Sequence, residues 1–348
     1  MPKGKGDEGG FMKFLWNSDT GEFLGRTGSS WGKIIVFYII FFAGLAAFFL
    51  LMLYIFFLTL DLQKPKWQMT NGLIGDNPGV GFRPQPDQDK NVDSTLIWFD
   101  RNRKENYEFW SKQLDEWFNE IPKEGGSDVT KCSFGAGGTD TYKDKNKKRE
   151  QIASCFVDNK QFGECNPENK FGYRLGEPCI LVKLNRIYAW EPIGFGLNGK
   201  QYNQANFPEI FSNELKELEK DIENNPQQGM KPMPLFLQEY IKKEVETQDH
   251  NPQWKTDFLN SVFISCEGEN PADKENIGPI SYYPHPYIPS YYFPFTNQRG
   301  YQSPFVMVQL KKPMPGVLIN VECRAWARNI NHNRPDRLGM VHFEIMID

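Results

Sequence analysis

The chain has 348 residues, with 40 Lys plus Arg against 44 Asp plus Glu and a formal net charge of −4. The two signs are interspersed, which excludes the basic footprint of a nucleic-acid binder. Aromatic residues make up 15%, and 30 Gly and 24 Pro punctuate the sequence, so a loop-rich β protein is expected rather than a helical bundle.

Residues 1–10, MPKGKGDEGG, are polar and glycine-rich and are expected to be disordered. The arm that follows to residue 33, FMKFLWNSDTGEFLGRTGSSWGK, spaces aromatic residues along a short juxtamembrane segment. It is suited to rest on headgroups or to dock on a partner's cytoplasmic surface. Residues 34–60 contain no charge and no proline. A bilayer core of about 30 Å needs about 20 apolar residues, so this run is long enough to span it with tilt. A cleaved signal peptide would carry an apolar core of at most about 15 residues and a small-residue cleavage site. The run is therefore read as an uncleaved signal anchor. Its middle has a waist of small residues, Ala43, Gly44, Ala46 and Ala47. The four-residue spacing of Ala43 and Ala47 permits close approach of a second helix. Tyr38, Phe42 and Leu45 share a neighbouring face, with Phe41 beside them.

Residues 61–100 read as a stem, because the prolines and glycines of DNPGVGFRPQPDQD resist a helix or a central strand. Next, Tyr107, Trp110, Leu114, Trp117 and Ile121 recur at helical spacing and predict an amphipathic helix over 105–121. Strand-like runs follow at 152–157, 179–185, 261–266, 303–310, 316–326 and 340–347. In the fifth, Val317, Ile319, Val321, Cys323 and Ala325 lie on one face, and Asn320, Glu322 and Arg324 on the other. Such alternation predicts antiparallel strands with one buried face. Helical insertions are predicted at 211–224 and 235–248. The whole reads as a β-sandwich carrying helices.

All six cysteines (Cys132, Cys155, Cys165, Cys179, Cys266, Cys323) follow the apolar run. An even set on one side fits disulfides in an oxidising compartment and orients the N-terminus to the cytoplasm. Spacing alone chooses no pairing. Motifs for chemistry are weak. Gly194, Gly196 and Gly199 fit a G-x-G-x-x-G string, but proline and aromatic residues surround it where a strand and helix are required. Asp87 and Asp89 spell the D-x-D of metal-dependent sugar transferases, but they sit in the stem. His250, His285, His332 and His342 are scattered, with no C-x-x-C, H-E-x-x-H or G-x-S-x-G, and the basic stretch 143–149 reads as a solvated turn. No catalytic, cofactor or metal site is expected.

Several strings coincide with one family. FLWNSDTGEFLGRTGSSWGK, Phe37-Tyr38 with Phe41 followed by Gly44-Leu45-Ala46, PGVGFRP (78–84), FGYRLGEPCILVKLNRI (171–187), YYFPF (291–295) and INVECRAWARNI (319–330) occur in order. Together they resemble the β subunits of Na,K-ATPase and related K⁺-dependent P-type pumps, over nearly the whole chain. The resemblance implies a non-catalytic, single-pass type II plasma-membrane protein with an immunoglobulin-like extracellular sandwich. Its bounds here would be a cytoplasmic arm 1–33, transmembrane helix 34–60, extracellular stem 61–100 and disulfide-bonded domain 101–348. It further implies the pairs Cys132–Cys155, Cys165–Cys179 and Cys266–Cys323. The partner it implies is a catalytic α subunit, whose folding, surface delivery and K⁺ occlusion the chain supports, with a small single-span regulatory subunit and lipid or sterol nearby. The α-facing residues would be Phe37, Tyr38, Phe41, Phe42, Ala43, Gly44 and Ala47. Phe42 stands where family members often carry tyrosine. No N-x-S/T sequon with a permitted middle residue occurs, and the helical insertion near 208–248 exceeds the vertebrate pattern, which suggests an invertebrate-type or divergent member. The other readings weighed are an H⁺/K⁺ pump partner, a self-standing adhesion ectodomain and a type II transferase using Asp87 and Asp89.

Overall fold

The computed structural model describes residues 15–17, 20–61, 64–87, 94–121, 129–135, 154–197, 202, 206–224, 231–248 and 251–348. Residues 1–10, Asp89, Gly199, His250 and the basic stretch 143–149 lie outside them. The chain divides into two compact units, Met1–Lys66 and Trp67–Asp348.

In the first unit the arm is a small antiparallel sheet rather than a simple tether. Strands β1 (Trp16–Asn17), β2 (Glu22–Phe23) and β3 (Arg26–Thr27) pair in sequence. Between β2 and β3 only Leu24 and Gly25 intervene, both at positive φ (53° and 71°), the pattern of a type I′ hairpin. Helix α1 then runs Gly28–Leu58, 31 residues. It starts six residues before the apolar run, and the first turn is tied back to the hairpin. There the indole Nε1 of Trp31 donates to the Phe23 carbonyl at 2.8 Å. At the far end the Thr59 hydroxyl donates to the Phe56 carbonyl at 2.7 Å. No residue of α1 is buried. A helix apolar on every side, with none of its residues buried among the described residues, needs lipid or other helices around it.

The second unit is a sandwich of two sheets. Its elements in order are β4 (Val80–Arg83), β5 (Leu96–Phe99), α2 (Lys104–Glu120), β6 (Val129–Thr130), β7 (Ser154–Cys155), β8 (Cys179–Leu184), α3 (Phe207–Asn224), α4 (Leu235–Thr247), α5 (Pro252–Leu259), β9 (Val262–Gly268), α6 (Pro271–Asn276), β10 (Ile280–Tyr283), β11 (Tyr287–Ile288), β12 (Phe305–Leu310), β13 (Ile319–Trp326) and β14 (Met340–Ile347). One sheet has the order β10-β12-β8-β4 and the other β11-β9-β13-β14-β5. The inner faces meet in one core: Phe82 of β4 stacks on Phe343 of β14 with ring centroids 4.9 Å apart. Around them Ile180, Val182, Val306 and Val308 face Ile97, Ile264, Val321 and Ile345.

Three expectations need correction. Residues 61–100 are not merely a stem, since β4 and β5 come from them and each closes an edge of a sheet. Pro84 is tolerated because β4 is an edge strand that ends at Arg83. Not every strand pair is antiparallel, because β5 lies parallel to β14. And β13 has two buried faces, not one: Glu322 and Arg324 are only 2% and 3% exposed. The cause is a helical layer. Phe211 and Leu215 of α3, Leu237 and Ile241 of α4, and Phe258 of α5 close over Phe263 and Trp326 on the outer face of the five-stranded sheet. The other sheet is roofed likewise. Trp117 and Phe118 of α2 pack on Phe305 of β12. Of the strand expected at 152–157, residues 152 and 153 lie outside the described residues, and Ser154–Cys155 form β7, which pairs in parallel with β6.

The buried Glu322 carboxylate under the helical layer is paired. Arg324 Nε donates to Glu322 Oε1 at 2.8 Å, and Lys231, from the segment entering α4, reaches both Glu322 (3.1 Å) and Glu267 (2.8 Å). Burial pushes the Glu322 carboxyl up, but the bond and charge of Arg324, with Lys231, more than offset it, and its pKa lies below the ordinary carboxylate value. Tyr282 closes the gap between the sheets at the β9 edge. Its hydroxyl accepts the Cys266 N–H at 2.9 Å, which β13 leaves free because Cys266 and Cys323 form a register pair on the other side.

His332 gives stability a pH dependence. Its Nε2 lies 2.8 Å from the Ala325 carbonyl, so a neutral ring donates there, and its ring stands edge-on to Trp326 at 4.5 Å. Burial, and then the charge of Arg324, depress its pKa to about 4. The folded state keeps it neutral while the unfolded chain takes up a proton below about 6.5. Stability from this group is therefore full above that pH and lost as pH falls towards 4. The expected loss is roughly 3 kcal/mol. It is read as the slope of unfolding free energy against pH, which His332→Gln should flatten over that window.

Candidate functional site

Among the described residues no cluster of His, Cys, Asp and Glu is arranged to hold a metal. The glycine string also has a structural occupant. The Gly196 N–H, one of the donors a phosphate would take, is held by Glu214 of α3 at 2.5 Å, and Glu214 in turn pairs with Arg328 at 3.4 Å. Gly194 sits where a Cβ would lie 2.2 Å from the Leu259 carbonyl oxygen. Close packing, not phosphate binding, explains these glycines. Asp87 is held in interactions of its own.

The remaining candidate is the surface of α1. Phe37 and Phe41 stack at 6.2 Å and Tyr38 and Phe42 at 5.9 Å, each pair one helical turn apart. The two rows interlock edge-on, Phe37 against Tyr38 and Phe41 against Phe42, both at 5.5 Å. Four rings thus make one continuous ridge, preorganised by contacts within the helix itself, and each remains at least half exposed. At about 100° per residue, Gly44 borders this ridge, next to Phe37 and Phe41, whereas Ala43 and Ala47 fall about half a turn away. The seven residues read from the sequence therefore do not form one face. They split into an aromatic ridge with Gly44 and an opposite strip of small residues. Gly44 has nothing within 4 Å of where a Cβ would sit, which leaves a notch beside the ridge. Trp31 and Phe23 extend the aromatic surface below the span, with ring centroids 6.1 Å apart. Sequence reading missed this pairing; the Leu24-Gly25 turn between two short β-formers was the signal for it.

The six cysteines form three links. Cys132–Cys155 joins the segment after β6 to β7, with Cα atoms 5.5 Å apart. Cys165–Cys179 anchors the loop ahead of β8 at 5.8 Å. Cys266–Cys323 ties directly opposed residues of neighbouring strands β9 and β13. It staples one sheet rather than bridging the two. Among the described residues no cysteine is free.

Comparison with known proteins agrees with this architecture. The family model for the sodium/potassium ATPase beta chain matches residues 2–343. A Drosophila melanogaster protein named sodium/potassium-transporting ATPase subunit beta-2 is 38% identical over 341 residues, covering 97% of this chain and 91% of its own. The beta-1 subunit of the same organism is 33% identical over 340 residues, covering 97% and 93%. The human beta-2 subunit is 25% identical over 350 residues, covering 97% and 94%. With that family model matching from the N-terminal arm through the apolar helix into the last strand, the chain belongs to the sodium/potassium ATPase beta chain family.

Proposed function

We propose that this chain is the non-catalytic β subunit of a Na⁺/K⁺-transporting pump. It assembles with a catalytic α subunit, supports that subunit's folding and delivery to the plasma membrane, and modulates K⁺ occlusion. The observation that carries this reading is the family match over residues 2–343. Its relatives carry sodium/potassium-transporting names, which supports that pump over an H⁺/K⁺ partner, a self-standing adhesion protein or a transferase. With every cysteine on the C-terminal side of α1, the arm is cytoplasmic and the sandwich extracellular. A domain tethered beside the partner's outer loops biases two of its states if it contacts them with different energies, and nothing more is required.

The aromatic ridge is the α-facing side of α1 in this reading. The strip bearing Ala43 and Ala47 is left to lipid, sterol or a small single-span regulatory subunit. Tyr38→Leu combined with Phe41→Leu removes one ring from each stacked row while keeping the span apolar. The expected result is roughly tenfold less α subunit recovered with the chain in mild detergent, each lost aromatic contact being worth about 0.5–1.5 kcal/mol. Membrane insertion, followed by protease protection of the sandwich, should be unchanged. Equal recovery would remove the ridge from the interface, and a wild-type chain that purifies without any stoichiometric ATPase would sink the wider reading.

A further inference from the structure

The outer face of the four-stranded sheet carries three cations close together. Arg83 and Lys183 lie diagonally across the β4–β8 pair, Gly81 being the direct partner of Lys183. Both pack on one indole: Arg83 Cζ is 5.0 Å and Lys183 Nζ 4.5 Å from the Trp117 ring centroid. Arg186, just beyond β8, rests on Phe295 and Tyr301 at 5.5 and 5.3 Å. It also donates through Nε to the Ser303 hydroxyl at 2.7 Å. Burial, then the charges of Arg83 and Arg186, lower the pKa of Lys183, so the three fields overlap. Among the described residues none of the three enters an ion pair.

Two donors in this cluster are also left without acceptors. Arg83 Nε and Trp117 Nε1 are shut off from solvent and have no hydrogen-bond partner. Buried N–H groups are nearly always paired, so an acceptor belongs beside them, and the surrounding charge sets its sign. The scaffold is stiff: α2 is stitched to the end of β4 by paired bonds between Gln113 and the Gln85 backbone, at 3.0 and 2.9 Å. Trp117 lies one turn beyond that stitch.

We propose that Arg83 and Lys183 on the Trp117 ring, with Arg186 on the neighbouring Phe295 and Tyr301 rings, form a binding site for an oxyanion of the carboxylate or sulfate class. Arginine offers such a group a planar fork and lysine a point charge, and aromatic walls hold both cations in place without neutralising them. The oxyanion comes either free from solution or as an acidic side chain of a partner polypeptide.

Sulfate is the probe. The full-length chain in mild detergent is melted while sulfate replaces chloride at constant ionic strength. Sulfate stabilises proteins generally by exclusion from their surface, but that effect does not saturate. A saturable rise is expected on top of it, roughly 5 °C at a hundredfold excess over the dissociation constant. Arg186→Gln, at an exposed position, and Lys183→Met should each weaken it by roughly tenfold or more, while Lys183→Arg retains it. An identical response in wild type and both neutralised variants, or no saturable component, overturns the site. The same titration on the chain purified with its membrane partner assigns the source. A response lost in the complex identifies an acidic side chain of the partner, and one that persists identifies a free anion.

Discussion

Cys266→Ala with Cys323→Ala is expected to lower the stability of the sandwich unit by about 4 kcal/mol. The link closes a loop with a sequence separation of 57 residues, and chain-entropy arguments give that magnitude for a loop of this length. The loop contains α6, β10, β11 and β12, so in the unlinked chain half the strands of one sheet and the edge of the other search independently. The native state loses less, because β9 and β13 stay paired over six register positions from Val321–Gly268 to Trp326–Phe263, and the Tyr282 hydroxyl still satisfies Cys266. The double variant is therefore expected to fold to the same structure with a lower denaturant midpoint, read by near-ultraviolet circular dichroism of the full chain. A midpoint unchanged within error would mean that the unfolded chain is held compact by other means.

Arg324→Met is expected to cost about 3–5 kcal/mol, because it strands the buried Glu322 carboxylate. Glu322 and Glu267 are direct cross-strand neighbours of like charge, and in the variant Glu322 would be left with Lys231, which it shares with Glu267, while Lys274 reaches only Glu267, at 3.1 Å. The loss has a pH signature. The Glu322 carboxyl lies below its ordinary pKa in the native state, so its contribution is present above the ordinary value and disappears as pH falls through the native one. In the variant the native pKa rises, and mild acid should recover part of the deficit. Glu322→Gln combined with Arg324→Met should return most of the stability, since a neutral pair of similar volume replaces the ion pair. A double variant no better than Arg324→Met would show that the arginine acts through packing against the helical layer.

The parts of this fold legible in the sequence were those written in one period. The apolar run of α1, the aromatic stripe of α2, and the cores of β8, β9, β12, β13 and β14 follow from alternation or 3.6-residue spacing. What escaped was set by layers. Glu322 and Arg324 alternate with Val321, Cys323 and Ala325 just as a solvent face would, and no local pattern shows that α3–α5 will cover them. β4 and β5 were hidden by their brevity and by proline-rich neighbours. Two short helices were missed although they carried a signal: Asn251-Pro252 and Asn270-Pro271 each place an Asn cap before a first-turn Pro. On α1 the residue types were legible but not their grouping, because Ala43 and Ala47 lie close in sequence to rings they do not share a side with.

The parallel pairing of β5 with β14 sets a clock on the chain's synthesis. Trp98 donates to the Asp348 side chain across 250 positions, and Ile97 faces Ile345 in the same ladder. Contacts this distant form late, since loop closure must precede them. β5, made early, therefore waits with its apolar side uncovered until β14 has been made. Throughout that interval the nascent sandwich carries an unsealed β edge, the kind of surface that exposes a folding chain to aggregation. Closure of the five-stranded sheet therefore waits on β14, which fills the place between β13 and β5.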